Sequence, residues 1–334
     1  MRILIFCVFL LFSIFKDSLG QQLEGGLGFH GFADNREYSA SGRASRTIFG
    51  ARISPQIGLF IDSMHRISVG ADLLHEFGSR KAIQNVVPII YYQFTNKAWD
   101  FYLGSFQRYG LLDDYPRMQL DDTLLYYRPN VEGMFVKYET NTYKQTAWID
   151  WTGKQTATDR ETFLFGFSGT YKPGKFFISH YAYMFHNAFS KIVPTDQYLQ
   201  DNGAIQLQTG LAFSKPAFLD SLSIATGFAM SLERTRGLTG FSFPKGSVTD
   251  LKAVYRKLSL ANTFYAGEGH HLINGDSFYT SKVYNRLDLG WTPIVFKNIE
   301  GKFTFTLHFA DGVMDNQQAF TLRYRVFGSK ELKK

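Results

Sequence analysis

The sequence predicts an all-β protein, an up-and-down antiparallel transmembrane β-barrel of about sixteen strands, with roughly fourteen to eighteen compatible. Three observations predict it. Polar and apolar residues alternate with a period of two in segment after segment, which sends successive side chains to opposite faces of a strand. The connections between these segments alternate between short and long. The chain is 17% aromatic and contains 30 glycines, its mean hydropathy is -0.16, and no long apolar run follows residue 21.

The first element is not part of the barrel. Residues 1–20, "MRILIFCVFLLFSIFKDSLG", place Arg2 before an apolar run from Ile3 to Phe15 and end on small residues. That is the layout of an exported leader, too short to favour a spanning helix, with cleavage expected near Gly20–Gln21. Its Cys7 is the only cysteine, so the mature chain would have no disulfide, thiolate metal site or cysteine nucleophile. The formal net charge is +7, and no composition break divides residues 21–334, which read as one barrel domain.

Candidate strands then follow in order at 24–34, 46–62, 65–78, 84–95, 97–108, 130–140, 143–152 and 160–172, and at 175–187, 203–214, 220–234, 247–256, 258–267, 280–292, 299–310 and 317–327. In the second, Phe49, Ile53, Ile57, Leu59 and Ile61 share one parity, and Arg46, Arg52 and Gln56 the other. In 220–234, Leu222, Ile224, Phe228, Met230 and Leu232 stand against Ser223, Ala225, Gly227, Ala229, Ser231 and Glu233. Residues 299–310 oppose Phe303, Phe305, Leu307 and Phe309 to Lys302, Thr304, Thr306 and His308. Short connections hold residues such as "TNK" (95–97), "TNT" (140–142), "KPG" (172–174) and "PIVFKN" (293–298). The long ones lie at 35–45, 79–83, 109–129, 153–159, 188–202, 235–246, 268–279 and 311–316. Short turns at one end and longer loops at the other suit an up-and-down barrel, whereas a Greek-key sandwich would break that rhythm.

A bilayer explains the parity. Backbone amides in hydrocarbon need partners, which a closed barrel supplies, and the outward face must be apolar with aromatic girdles at the interfaces. Trp99, Tyr143, Tyr171 and Trp291 stand at strand ends beside short turns, and Trp151 stands at the opposite end of its strand. All five are expected in girdles. The other parity would line a lumen, with basic Arg46, Arg52, Arg66, Arg108, Lys144, Lys252, Arg286, Arg323 and Arg325, acidic Asp72, Asp150 and Asp288, and Trp148. In "AWIDW" the two indoles point to opposite sides, so Asp150 is expected in lumenal water beside Trp148. An excess of cations along a lumen favours anions.

The closing segment "QAFTLRYRVFGSKELKK" alternates Phe320, Leu322, Tyr324 and Val326 with Thr321, Arg323 and Arg325 before the aromatic Phe327. It resembles the last strand of outer-membrane barrels, although it continues past the aromatic. With the leader, girdles and loop rhythm, the chain resembles a porin-like outer-membrane barrel of Gram-negative bacteria, in the aromatic style of Bacteroidota. The resemblance is architectural and covers the mature chain. It implies surrounding outer-membrane lipid and insertion by the barrel assembly machinery. It also makes residues 108–130 the third outward loop, the one that in classical porins folds inward and narrows the lumen. Asp113, Asp114, Asp121 and Asp122 would then face the basic wall. An extracellular lid is the alternative for the same residues.

The function expected from these features is passive or weakly selective passage of small polar or anionic solutes. A non-conducting barrel that binds at the cell surface or serves envelope assembly is the first alternative, and a barrel enzyme acting on lipid or peptide is the second. No enzymatic role is expected: "GDSF" (275–278) lacks a strand–turn–helix context, and no serine–histidine arrangement is recognisable. Glu268, His270, His271 and Asp276 cluster in one loop but make a poor metal site. No cofactor, metal or nucleic-acid partner is expected. A monomer and a homo-oligomer fit the pattern equally.

Overall fold

A computed structural model describes residues 21–193 and 197–331; the expected leader and its cleavage point lie outside the described residues. Sixteen strands form one closed barrel in which every strand pairs antiparallel with its sequence neighbours. They are β1 (Gln22–Glu37), β2 (Arg46–Ile61), β3 (His65–Glu76), β4 (Asn85–Thr95), β5 (Trp99–Gln107), β6 (Asn130–Glu139), β7 (Tyr143–Gly153), β8 (Thr162–Tyr171), β9 (Phe176–Asn187), β10 (Gln200–Ser214), β11 (Ser221–Thr235), β12 (Lys245–Tyr255), β13 (Leu258–Gly267), β14 (Val283–Phe296), β15 (Ile299–Ala310) and β16 (Val313–Glu331). β1 and β16 close the wall in continuous register from Gln22↔Glu331 to Glu37↔Asn316.

The wall inverts the burial of a soluble protein. On β2, Ile48, Arg52, Ser54 and Gln56 are buried, while Phe49, Ile53 and Ile57 are exposed. On β11, Ala225, Ala229 and Ser231 are buried, and Ile224 and Phe228 are exposed. Apolar side chains on an unpartnered outer face are stable where the surrounding solvent is lipid.

Three features differ from the sequence expectation. β14 continues through Pro293 to Phe296, because the proline sits where the register with β15 shifts between Trp291 and Ile294. A residue without an amide hydrogen is tolerated at such a bulge. The long loop expected at 311–316 is instead a two-residue turn, with φ of 56° at Asp311 and 80° at Gly312. Two positive φ values in an Asp-Gly pair match the hairpin turn that follows strand twist. β16 also extends past Phe327, so part of the expected polar tail belongs to the wall.

At the long-loop end, two connections fold into the barrel. Residues 108–129 carry a one-turn helix, α1 (Leu124–Tyr127), and the second connection carries a 3₁₀ turn (Ser277–Thr280). Their Leu112, Tyr115, Met118, Phe278 and Tyr279 pack with Phe106, Trp148, Tyr265 and Tyr284 of the wall into a buried apolar cluster inside the barrel.

Candidate functional site: a lumen filled by two inward segments

The first inward segment leaves the wall at β5 and re-enters at β6, where Gln107 and Asn130 are paired neighbours. Arg108 N–H donates to the Pro129 carbonyl at 2.7 Å and closes its neck. The Arg108 guanidinium donates to the carbonyls of Arg128 at 3.1 Å and Asn130 at 3.2 Å, and forms an ion pair with Asp150. Asp150 also accepts the Glu132 amide at 2.9 Å. A second pair lies nearby: Arg52 binds Asp72 and donates to the Tyr126 carbonyl of α1, and Ser54 donates to Asp72 at 2.8 Å. The segment is held from the other side by Trp148, whose Nε1 donates to the Tyr115 hydroxyl at 2.9 Å. Gly166 on β8 makes room for that indole, since a Cβ there would lie 2.2 Å from it.

These placements correct part of the expected lining. Asp150 is fully buried, not in lumenal water, and Arg52, Arg108, Arg286, Asp72 and Asp288 are likewise buried. The inward segments cover them, and a charge removed from water is tolerated only when paired and hydrogen-bonded. Lys144 is half-buried and meets Asp114 at 2.7 Å. Arg66 meets Glu24 at 2.8 Å, and Arg46 donates to the Tyr127 hydroxyl at 2.7 Å. The segment lies inside the barrel and is not an outer lid.

Arg286 on β14 joins the two inward segments. It contacts Asp288 at 3.0 Å, Asp122 at 3.2 Å and Asp276 at 3.5 Å. Arg117 reaches Asp122 at 3.0 Å and Asp288 at 3.6 Å. Asp121 stands 3.9 Å from Arg36, which pairs with Asp34 at 2.9 Å. Backbone bonds from Asp121 N–H to the Asn274 carbonyl (2.7 Å) and from Asp276 N–H to the Arg117 carbonyl (2.9 Å) stitch the segments together. Five carboxylates thus meet three guanidinium groups. Burial, and then the charges of Asp276 and Asp122, push the Asp121 carboxyl up to about 6. Burial also pushes Asp122 upward, but Arg117 and Arg286 outweigh it and hold that carboxyl well below its ordinary value. Asp113, raised by burial, accepts the Gly110 amide at 3.0 Å.

The second segment carries a contact that sequence reasoning missed. The Ser231 hydroxyl of β11 lies 2.7 Å from His270 Nδ1 and donates to Glu233 Oε1 at 2.6 Å. On the far side of the imidazole, the Tyr265 hydroxyl lies 2.9 Å from Nε2. Burial lowers the His270 pKa, opposed by the charges of Glu233 and Glu268, so the neutral base is favoured. Glu233 and His271 border a cavity of about 300 Å³ at the rim, with Asn202, Thr239 and Ser242. The only sequence signal was a serine and a glutamate two apart on the small-residue face of β11. Ser277, the hydroxyl suggested by "GDSF", opens the 3₁₀ turn that Asp276 caps by accepting the Phe278 amide at 3.0 Å. Glu268 accepts the Lys245 amide and Asp276 turns toward Arg286, so the acids of this loop do not converge with its histidines.

Two further cavities flank the inward segments. One of about 180 Å³ has Lys252, Asp250, Gln206 and Gln208 on its wall. The other, of about 90 Å³, has Arg323 and Arg325. On the outer surface Trp99, Tyr143, Trp151, Tyr171 and Trp291 are all exposed, from 38% for Tyr143 to 50% for Trp291. His186 stacks there on Phe163, which stacks on Trp151.

A closed barrel of sixteen strands, apolar outside and charged within, defines the class: its fold is that of the outer-membrane barrels of Gram-negative bacteria. Similar solved structures are porins. OpdL of Pseudomonas aeruginosa is 9% identical with a TM-score of 0.57, over 92% of this chain and 99% of that one. A loop-deletion form of OmpT of Vibrio cholerae has the same identity, TM-score and coverage. OpdF of P. aeruginosa, in complex with glucuronate, is 10% identical with a TM-score of 0.53, over 91% and 96%. At such identities the likeness is one of fold. No curated protein matches the chain.

Residues 15–327 match the lipid A 3′-O-deacylase-type family, and the chain belongs to that family. This overturns the expectation of no enzymatic role, because the family is an enzyme family. The expectation rested on linear motifs, which do not report a serine and a histidine brought together by an inward loop.

Proposed function

We propose that the protein is an outer-membrane acyl-ester hydrolase of the deacylase type, acting on a 3′-O-acyl ester of lipid A from the rim of the barrel. The observation that carries this reading is the 2.7 Å contact of Ser231 with His270, in a chain of that family. Ser231 Oγ, once its hydrogen turns from Glu233 to His270, would attack the acyl carbonyl carbon while that proton passes to His270 Nδ1. The ester C–O bond then breaks, and the leaving sugar oxygen takes that proton. Water, activated by the same imidazole, releases the fatty acid and restores Ser231. Glu233, against the same hydroxyl, offsets the positive charge formed on the imidazole, and it borders the rim cavity, from which an ester would have to reach the buried Ser231 and His270. Mass spectrometry of lipid A from cells making the wild-type barrel should show loss of one ester-linked acyl chain. Ser231→Ala and His270→Gln should lower that loss by about a hundredfold or more, and Ser277→Ala should not. Intact lipid A with a folded wild-type barrel, or full activity in Ser231→Ala, would overturn the assignment.

A second reading, passage of small polar or anionic solutes, is favoured by the cavities beside the inward segments, which carry Lys252, Arg323 and Arg325. Residues 108–129 would be its constriction, and Trp99, Tyr143, Tyr171 and Trp291 one interfacial girdle with Trp151 at the other. Residues 1–20 would be the leader removed on export, and the barrel assembly machinery would insert the rest. A folded barrel that carries no current in a planar bilayer at any voltage rules this reading out.

A further inference from the structure

The cavity of about 90 Å³ lies between the wall and the first inward segment and touches neither Ser231 nor His270. Its wall is built on two adjacent rungs of the barrel seam. Arg323 pairs with His30, and His30 with Arg52. Arg325 pairs with Gly28, and Gly28 with Ser54. Among the described residues neither Arg323 nor Arg325 has a carboxylate partner. The Arg323 guanidinium lies 4.1 Å over the Tyr109 ring, and Arg325 donates to the Gln107 side-chain oxygen. His30 Nε2 is buried without a hydrogen-bond partner. Asp72, the one acid bordering the cavity, is already engaged by Arg52 and Ser54. Gly28 keeps the floor open: its nearest neighbours to an added Cβ are Ser54 at 3.4 Å and Gln107 at 3.8 Å.

Elsewhere in this lumen, buried Arg52, Arg108 and Arg286 meet acids; here half-buried Arg323 and exposed Arg325 border a small cavity with none to spare. We propose that this cavity is a binding site for a compact oxyanion, the carboxylate or phosphate group of a small solute. Arg323 and Arg325 supply the charge, and the unpartnered His30 Nε2 supplies a further polar contact. Fork-shaped guanidinium donors match both groups geometrically. The proposal deepens the solute-passage reading by naming where an anion would pause. Equilibrium binding needs no through-current, so a silent bilayer and an empty site are separate outcomes.

The test uses the folded barrel in detergent, with fluorine NMR of trifluoroacetate as the probe and acetate, inorganic phosphate and choline as competitors. Saturable binding displaced by acetate and phosphate but not by choline is expected. Arg323→Gln with Arg325→Gln should weaken it by about tenfold or more. Gly28→Leu keeps every charge but fills the floor, and should abolish binding. Lys252→Gln, in the other cavity, should leave it unchanged. Heat-modifiable electrophoretic mobility checks that each variant is folded. Non-saturable broadening, binding that survives Gly28→Leu in a folded barrel, or an equal loss in Lys252→Gln would overturn the proposal, the last because it would reveal a diffuse field instead of a site.

Discussion

Replacing Asp150 by Asn should release the first inward segment. The carboxylate and its partner Arg108 are 1% and 2% exposed at their side chains. Removing one member of such a pair costs about 3–5 kcal/mol, because the remaining charge is left buried and uncompensated. Arg108 would keep the carbonyls of Arg128 and Asn130 as acceptors, which places the expected loss near the lower bound, ~3 kcal/mol. An internal control is available in Asp114, whose pair with Lys144 is 36% and 31% exposed; Asp114→Asn should cost under about 1 kcal/mol. Urea unfolding in lipid vesicles, followed by tryptophan fluorescence, reads both. Arg108→Met added to Asp150→Asn removes the stranded charge, so the double variant should recover about 2 kcal/mol relative to the sum of the singles. If Asp150→Asn costs no more than Asp114→Asn, or if the two changes simply add, the ion pair does not anchor the segment.

Two other outcomes follow from the same lumen and wall. The Asp121 carboxyl is held at about 6 against an ordinary value of 3.8, so the docked segment binds a proton that the free one releases. Its docking should therefore weaken as pH rises from about 4 to about 6, by up to about 3 kcal/mol; Asp121→Asn should flatten that slope in limited proteolysis of residues 109–129, and an opposite slope would refute the assignment. On the outer surface, Leu207 lies mid-strand on β10 and is 51% exposed. Leu207→Arg should cost about 2–4 kcal/mol in a bilayer, measured by vesicle unfolding, whereas a soluble-facing position would tolerate it.

The wall was legible because a lipid-facing strand has to repeat its chemistry every second residue, and β2, β11 and β15 do so without interruption. Where local chemistry interrupted that repeat, boundaries were lost. Pro293 looked like a turn residue until the bulge on β14 gave it a place. Asp311–Gly312 was absorbed into an expected long loop, although an Asp-Gly pair between alternating runs signals a tight hairpin. The interior was far less readable. Trp148 was expected on the lumenal face, and its indole meets Tyr115 of the first inward segment there. Asp150, two residues on, was expected in water because nothing local reveals that Arg108 will fold over it. Ser231 and His270 are 39 positions apart, and only an inward turn of the second segment joins them.

The neck of the first inward segment has a consequence for how such a molecule can change over time. Its two ends emerge from Gln107 and Asn130, which already face one another across adjacent strands. The wall therefore does not need the insert to complete its circuit. Lengthening, shortening or exchanging residues 109–129 would redraw the interior while leaving all sixteen staves and their registers in place. The barrel behaves as a durable frame with a replaceable cartridge, so chains with the same wall can diverge in what their interiors hold.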